Sequence, residues 1–352
     1  MFSRKTLLVL LSCCVLPLLL GQVCIPQQDP TDPETLARFD EVCNTFDQKY
    51  SYFVHKEVDW QEMRELYRPL FEYYLTPAEF AEELNDMLQV LHDWHVNVFP
   101  PEGDALGYEG TYETNYPPTP IADYTVGGAG YESLGGGVIR HALIGDNIAH
   151  IRIDSLDTDA FSAITDNMIG NLFVQYQNAA GMIIDIRANN GGNEDNAIRF
   201  ASRLTDATVT YGYTETRNGP DHDDFDPPVA KQLTPSDRLH YDGPVVGLIG
   251  QRCLSSAEWF TLMLRASGAT LIGDDTRGSS GNPETFSLSN GVEYRLSRWV
   301  AWTADADGEM ESIFEDMGIT PDIHVPPGEG ASNSYTATRD YVLERALEYL
   351  GD

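Results

Sequence analysis

Short runs of almost entirely apolar residues, alternating with amphipathic helical segments, limit more than any other feature what this chain can fold into. Two of the runs, GMIIDIR at 181–187 and PVVGLIG at 244–250, are typical of strands buried on both faces of a sheet. The alternating segments are predicted strands at 138–144, 147–153, 181–187, 244–250 and 269–274 and predicted helices at 159–177, 194–204 and 256–267. This alternation predicts a layered α/β domain.

The N-terminal part of the chain has a different pattern. Apolar residues at helical spacing over 33–50 and 76–94, with Thr76-Pro77 as a helix start, predict a helical cap. A segment rich in Gly, Pro and Tyr follows the cap, and an amphipathic helix closes the chain. We therefore divide the chain into a signal peptide at 1–21, a helical cap at 30–98, a connecting segment at 99–134, an α/β domain at 135–328 and a C-terminal helix at 335–351.

The first residues are typical of an export signal. Two basic residues precede an apolar stretch from Thr6 to Leu20, which is too short for a confident membrane span, and we place cleavage near Gly21. We therefore expect a periplasmic or extracellular protein with no stable membrane span. Leu-Leu-Ser before Cys13 resembles a lipoprotein cleavage box, so lipid anchoring is the less favoured alternative.

The charge of the chain argues against one class of partner. Its 22 Lys and Arg residues stand against 55 Asp and Glu residues, and the net charge of −33 repels phosphate backbones, so we expect no nucleic-acid binding. After the signal, Cys24, Cys43 and Cys253 remain. A Cys24–Cys43 disulfide suits an exported protein, although spacing alone does not establish it. No pair of cysteines has metal-site spacing, and we expect no cofactor.

Ser255 lies at the point where an apolar strand gives way to a helix. With Glu258 three residues later, it forms a capping-box pattern, and a helix cap is the commoner explanation of such a serine. A serine at this junction is also exposed at the edge of the sheet. The helix N-terminus beside it supplies amides to a developing oxyanion, so Ser255 is a candidate nucleophile.

Three other stretches carry residue types that such a nucleophile needs. DIRANNGG, at 185–192, ends in Gly191 and Gly192, where the backbone approaches a neighbour closely or takes a positive φ. LHDWHVNVFP, at 91–100, contains His95 with Asp93 two residues before it, a candidate base and partner. FEDMGITPDIHV, at 314–325, offers Glu315, either as a supporting carboxylate or as a solvated loop residue.

In chain order these stretches form the motifs Leu-x-Asp-x-His, hydrophobic-Asp-x-Arg-x-Asn-x-Gly, Ser-x-x-Glu, Gly-x-x-Thr-x-Gly and Glu-x-x-Gly-hydrophobic-x-Pro-Asp. They lie at 91–95, 184–191, 255–258, 273–278 and 315–322. The set resembles that of the tail-specific (C-terminal processing) serine peptidases over about residues 76–328. The resemblance implies a Clp protease/crotonase-like α/β domain with a helical N-terminal cap and a C-terminal helix. The family often carries a PDZ domain after the cap, but the connecting segment is too short to hold one.

The resemblance also implies roles for individual residues. Ser255 maps to the nucleophile, and the amides of Ser256 and of Gly191 or Gly192 map to the oxyanion hole. One branch of the family uses as base a Lys directly after Thr-x-Gly, but here the sequence reads Thr-Arg-Gly-Ser at 276–279. We expect Lys231, in a Pro-flanked acidic loop, to stay solvated and charged, which argues against a Ser–Lys dyad.

The other branch includes the tricorn core protease and is similar to the repeats of interphotoreceptor retinoid-binding protein. It uses the His of the Asp-x-His motif, which maps the base to His95 and the supporting carboxylate to Glu315. In tricorn a Ser immediately before the His links it to the Glu, whereas Trp94 stands at that place here. We therefore expect Asp93, or Glu315 directly or through water, to orient His95.

These residues together predict an exported serine endopeptidase that hydrolyses protein or peptide substrates, with cleavage near C-termini as one form of that activity. The retinoid-binding relatives suggest a non-catalytic lipid or retinoid carrier as the alternative, and an esterase with the same residues is a third. A neutral His95 as base predicts activity that rises through an ordinary His titration, roughly pH 6–7.5.

Overall fold

The computed structural model describes residues 31–325 and 335–351, so the predicted signal peptide and Cys24 lie outside the described residues. Within these ranges no helix is long and apolar enough to cross a membrane. The helices are α1 Pro33–Lys49, α2 Trp60–Tyr67, α3 Pro77–Leu88, α4 Thr158–Phe161, α5 Asp166–Tyr176, α6 Glu194–Ala201, α7 Ser256–Ala266 and α8 Tyr341–Leu350.

The strands form one large sheet and two smaller ones. In chain order they are β1 Asn97–Phe99, β2 Leu106–Gly107, β3 Glu132–Leu134, β4 Ile139–Ile144, β5 Ile148–Ile153, β6 Gly181–Asp185, β7 Val209–Thr216, β8 Val229–Leu233, β9 Val245–Ile249, β10 Thr270–Gly273, β11 Pro283–Ser287, β12 Glu293–Ser297, β13 Trp299–Ala304, β14 Met310–Ile313 and β15 Ile323–His324. Short 3₁₀ turns occupy parts of the connecting segments.

The central sheet has the strand order β15-β10-β9-β6-β5-β4-β3. From β15 to β5 neighbouring strands run parallel, and β4 and β3 are antiparallel additions at one edge. Every residue of β6 is buried, as its continuous apolar run predicts for a strand covered on both faces. Helices follow β6 and β9 at their carboxyl ends, which places the functional loops of both strands at one edge of the sheet.

The N-terminal helices do not form a separate core. Phe39, Phe46 and Phe80 of the cap belong to one cluster with Tyr294 and Leu296 of β12. Strand β1, directly after the cap, pairs antiparallel with β12 in the sheet β11-β12-β1-β2. The cap and the α/β domain therefore share buried surface, and the chain after α3 is fixed against the C-terminal half.

The structure confirms the α/β class, and each predicted strand contains an observed one. The helix predicted at 159–177 is divided into α4 and α5, because Thr165 caps a new helix start by accepting the amide of Met168. The four-stranded sheet β14-β13-β7-β8 was not anticipated. It corrects the expectation for Lys231, which lies in strand β8 and not in a solvated loop.

Candidate active site

Ser255 occupies a sharp turn between β9 and α7. Its backbone has φ 59° and ψ −126°, a conformation that costs a residue with a side chain about 1–3 kcal/mol. The turn is held at its amide, which donates to the carbonyl of Ser279 at 3.0 Å and to Glu258 Oε2 at 3.2 Å. Such strained strand-to-helix turns present a serine hydroxyl outward from the sheet edge. Ser255 is thus the N-cap residue of α7, and it is half-buried.

Glu258 organises the loop that faces this turn. Its carboxylate is fully buried and accepts hydrogen bonds of 2.7–3.2 Å. The donors are the amides of Ser255, Gly278 and Ser279 and the hydroxyls of Thr276 and Ser280. Burial raises the pKa of Glu258 to about 7, and the donated hydrogen bonds act in the opposite direction. The Glu of the Ser-x-x-Glu motif therefore ties loop 276–280 to the start of α7.

His95 is joined to Asp93 through a serine that neighbours neither in sequence. His95 is only 5% exposed, and its Nδ1 lies 2.9 Å from Ser279 Oγ. Ser279 Oγ in turn donates to Asp93 Oδ1 at 3.1 Å. Because the hydroxyl proton of Ser279 is directed at Asp93, Ser279 accepts from a protonated Nδ1, which leaves Nε2 of His95 with a free lone pair.

Asp93 is a fixed and buried end of this chain of hydrogen bonds. Its Oδ1 also accepts the backbone amide of His95 at 2.8 Å, and its Oδ2 accepts the hydroxyls of Ser297 at 2.7 Å and Tyr50 at 3.1 Å. With Ser279 these four donors match the four lone-pair sites of a carboxylate. Burial lowers the pKa of His95 to about 4, although Asp93 acts in the opposite direction.

Ser279 connects the candidate base, His95, to the candidate nucleophile, Ser255. Its side chain bonds to His95, and its carbonyl accepts the amide of Ser255. Within the described residues no hydrogen bond joins His95 to Ser255 Oγ directly. In apo enzymes such bonds are often long and shorten only when substrate is bound. His95 and Ser255 are therefore both hydrogen-bonded to Ser279, one through its side chain and the other through its carbonyl.

Gly191 and Gly192 both lie against the start of α7. Gly191 has φ 94°, and a Cβ there would come within 2.9 Å of Ser255 Cβ, so only glycine fits. Its amide donates to Asn189 Oδ1 at 2.8 Å. The carbonyl of Gly192 accepts Ser256 Oγ at 2.7 Å. Within residues 31–325 and 335–351, the amides of Gly192 and Ser256 have no hydrogen-bond partner, which favours Gly192 over Gly191 as an oxyanion donor.

Glu315 is placed differently from the expectation. It is fully buried, but Oε2 accepts the amide of Ser280 at 3.4 Å, and Oε1 lies 3.3 Å from Nζ of Lys56. No hydrogen bond joins Glu315 to His95 in the described part of the chain, so of the two expected partners it is Asp93 that contacts His95, through Ser279. Burial raises the pKa of Glu315 well above its ordinary value, Asp93 raises it further, and Lys56 opposes this shift.

Lys56 and Lys231 are held in ion pairs. Lys56 Nζ lies 2.6 Å from Asp316 Oδ1. Although burial alone lowers the pKa of Lys56, Glu315, Asp93 and Asp316 together raise it above its ordinary value. Lys231 Nζ pairs with Glu194 at 2.9 Å and lies over the rings of Trp259 and Trp299. Neither geometry offers the neutral amine that a Ser–Lys dyad needs.

Sequence reasoning missed Ser279 as a site residue, although its signal was present. Ser279 stands directly after the Gly of Thr-x-Gly, the place that one branch of the resembling family gives to its catalytic Lys. Trp94 stands where tricorn has the serine of its relay, but here its side chain packs against Arg277 and Tyr108 and takes no part in the hydrogen bonds of His95. The Trp94 ring lies 4.3 Å from Cζ of Arg277, and Tyr108 packs edge-on against it. The relay hydroxyl comes from a different segment of the chain.

The sequence profile of peptidase family S41 matches residues 147–325, and that of the tricorn protease C1 domain matches residues 32–89. A crystal structure from Parabacteroides merdae, described as that of a candidate peptidase, is similar to this chain. The two share 26% sequence identity and a TM-score of 0.76 over 91% of this chain and 98% of the other.

Two further solved structures share the fold at lower identity. Mature CPAF has a TM-score of 0.65 and 13% identity over 90% of this chain and 95% of its own. The photosystem II D1 C-terminal processing protease has a TM-score of 0.54 and 16% identity over 91% and 98%. These findings confirm the resemblance to the tail-specific peptidases. With the family profile covering about half of its length, the chain belongs to peptidase family S41 and is a serine-type peptidase.

Proposed function

We propose that the protein is an exported endopeptidase that cleaves polypeptides with Ser255 as nucleophile and His95 as general base. The observation that carries this proposal is the position of Ser279, which holds both residues. Its hydroxyl bonds to His95 Nδ1, and its carbonyl bonds to the amide of Ser255. Export is supported by the N-terminal sequence, and a preference for C-terminal segments is supported by the resemblance to the tail-specific peptidases.

In the first step Ser255 Oγ forms a bond to the scissile carbonyl carbon while its proton passes to Nε2 of His95. The imidazolium then donates this proton to the leaving nitrogen as the carbon–nitrogen bond breaks. Asp93, reached through Ser279, stabilises the positive charge that forms on His95. Water then attacks the acyl carbon while Nε2 of His95 takes its proton. His95 returns this proton to Ser255 Oγ as the bond between Oγ and the acyl carbon breaks, which releases the acid product.

The oxyanion of the tetrahedral intermediate is held by the amides of Ser256 and Gly192. Ser256 is the first residue of α7, so the positive end of the helix adds to the stabilisation. Loss of one such donor typically costs about 2.7–4 kcal/mol of transition-state stabilisation. Glu258 fixes the turn in which these donors stand, and Lys56 with Glu315 fixes the loop behind it.

A fluorophosphonate probe tests the assignment of the nucleophile. We expect the probe to label the wild-type protein, to leave Ser255→Ala unlabelled and to label His95→Ala slower by orders of magnitude. Ser267→Ala, at the other end of α7, is the matched control and should label like the wild type. Labelling of Ser255→Ala at the wild-type rate would place the nucleophile elsewhere.

Turnover of unstructured peptides separates the peptidase from its alternatives. A peptidase cleaves them, and cleavage is lost in Ser255→Ala. An esterase hydrolyses esters without cutting peptides. A carrier of fatty acid or retinoid binds its ligand equally well before and after Ser255→Ala and turns over none of the peptides, a result that would reject the peptidase proposal.

A further inference from the structure

A cleft of about 620 Å³ adjoins the proposed active site and is built from the same segments. Trp94, directly before His95, lines one part of it, and Gly278, directly before Ser279, lines another. Gln251, shortly before Ser255, lines a third. A polypeptide bound across Ser255 therefore has this cleft as a neighbour, and the side chains of the cleft have access to residues near the cleaved bond.

Arg277 is the most strongly organised side chain of the cleft. Its guanidinium carbon lies 4.3 Å from the ring centroid of Trp94 and 3.6 Å from that of Tyr112, and its Nε donates to the carbonyl of Gln251. The centroids of the two rings lie 6.2 Å apart with their planes at 78°, so the rings pack against the guanidinium from two directions, and the hydrogen bond fixes Nε. Tyr112 also hydrogen-bonds to this side chain, and no carboxylate among the described residues pairs with it, so the remaining donors can bind the oxygens of a carboxylate ligand.

A second arginine supports the same wall of the cleft. Arg252 donates from Nη1 to the hydroxyl of Tyr112 at 3.0 Å and from Nε to the carbonyl of Ala188 at 2.9 Å. Neither Arg252 nor Arg277 forms an ion pair with any residue that the structure describes.

Two carboxylates line the same cleft as Arg277. Asp316 lines the cleft but is already paired with Lys56. Asp275 also lines it, and its Oδ1 is buried without a hydrogen-bond partner among the described residues. Arg277 is thus the lining guanidinium without an ion pair, and Arg252 contacts this wall through the hydroxyl of Tyr112. Met317, 71% exposed, adds an apolar surface at the same place.

We propose that this cleft is a substrate subsite that binds a carboxylate of the polypeptide through Arg277. Arg252 adds its field, and Trp94 and Tyr112 hold the guanidinium plane in position. The carboxylate is that of an Asp or Glu side chain near the cleaved bond. The proposal rests on the proposed peptidase function and adds the substrate class that the site selects.

Matched peptides test this subsite. Fluorogenic peptides carry Glu or Gln at each position around the cleaved bond, which mass spectrometry identifies, and a second pair carries a C-terminal acid or amide. We expect one acidic peptide of the set to exceed its neutral partner about tenfold in kcat/KM, or about 1.4 kcal/mol. A preference for the C-terminal acid alone would overturn the assignment to a side chain.

Variants assign the preference to Arg277. In Arg277→Gln the ratio of acidic to neutral peptide should fall to about one, and Arg277→Lys should keep part of it as a point charge. Arg345→Gln, on the surface of α8, is the control and should keep the wild-type ratio. The proposal is overturned if no acidic peptide is preferred by more than about twofold, or if Arg277→Gln retains the preference.

A binding measurement keeps this test separate from the test of peptidase activity. Calorimetric titration of Ser255→Ala with the same peptide pairs reports affinity without turnover. A preference for the acidic peptide that disappears on adding Arg277→Gln supports the subsite even if the wild type cleaves none of them. Equal affinity for both peptides in Ser255→Ala rejects the subsite, whatever the wild type cleaves. Circular dichroism of each variant confirms that it is folded.

Discussion

Replacing Ser279 with Ala tests the hydrogen-bond chain on which the proposed mechanism depends. The change removes a hydroxyl that lies 2.9 Å from His95 Nδ1 and 3.1 Å from Asp93 Oδ1. Asp93 retains three of its four donors, but the Nδ1–H of His95 is left buried without an acceptor. A hydrogen bond to a charged group contributes about 1.5–3 kcal/mol, and this bond is most valuable when His95 is an imidazolium.

If that free energy is lost from the transition state, kcat/KM falls roughly 10- to 150-fold. The assay compares kcat/KM of purified variants on one peptide, with urea unfolding to correct for the folded fraction. Ser297→Ala is the matched control, because it removes a buried hydroxyl from the other oxygen of Asp93 and leaves His95 untouched. We expect both variants to lose stability, by about 1–3 kcal/mol each, and only Ser279→Ala to lose most of its activity.

Two results would refute this reasoning. Equal activity of Ser279→Ala and Ser297→Ala would show that the hydroxyl of Ser279 does not hold the base. A larger loss in Glu315→Gln than in Ser279→Ala would show that orientation passes through Glu315 instead. Histidine NMR adds a direct reading, since a protonated Nδ1 and an unprotonated Nε2 are expected on His95 in the wild type.

Three further predictions follow from the site. The proposed base, His95, must be neutral to accept a proton, and burial lowers its pKa to about 4. We therefore expect kcat/KM to be lost only as pH falls toward that value. If kcat/KM instead fell with a midpoint in the ordinary His range, roughly pH 6–7.5, the burial effect would be contradicted. Ser255→Gly and Ser255→Ala should both be inactive, but glycine relieves the positive φ, so urea unfolding should find Ser255→Gly more stable by about 1 kcal/mol; equal stability would mean that the turn is not strained. Burial raises the pKa of Glu258 to about 7, so its contribution to the unfolding free energy is present at acid pH and is lost as pH rises through that value. In the wild type the unfolding free energy should therefore decline from about pH 5 to about pH 8.5, and in Glu258→Gln it should decline less steeply. An equal slope in the two proteins would show that Glu258 stays ionised.

The sequence predicted the parts of this molecule whose cause is local. The apolar runs at β6 and β9 have no period that would suit a half-exposed helix, so their burial as parallel strands could be read directly. The Gly pair after β6 marks backbone that must approach the start of α7 closely, which the structure bears out at Gly191. Motifs whose members lie within a few residues were therefore placed correctly.

The features that the sequence did not predict depend on contacts between residues far apart in the chain. Ser279 meets His95 across 184 positions of the chain, and no spacing rule relates two residues so far apart. Lys231 follows an acidic loop, and only pairing with β7 makes its segment a strand and brings its amine over Trp259. Lys56 belongs to the N-terminal helical cap, and its ion-pair partner Asp316 lies 260 positions later in the chain. Tertiary contacts decide all three placements.

The shared core of cap and α/β domain has a consequence for how activity arises during biosynthesis. Asp93 bonds to Ser279 and Ser297, 186 and 204 positions away, so the base is oriented only after nearly the whole chain has been made and folded. Closing such long loops is entropically costly and slow compared with local folding. A chain that ends before Ser279 then lacks the support of His95. The topology itself would delay proteolysis until folding is complete, without a separate inhibitory segment.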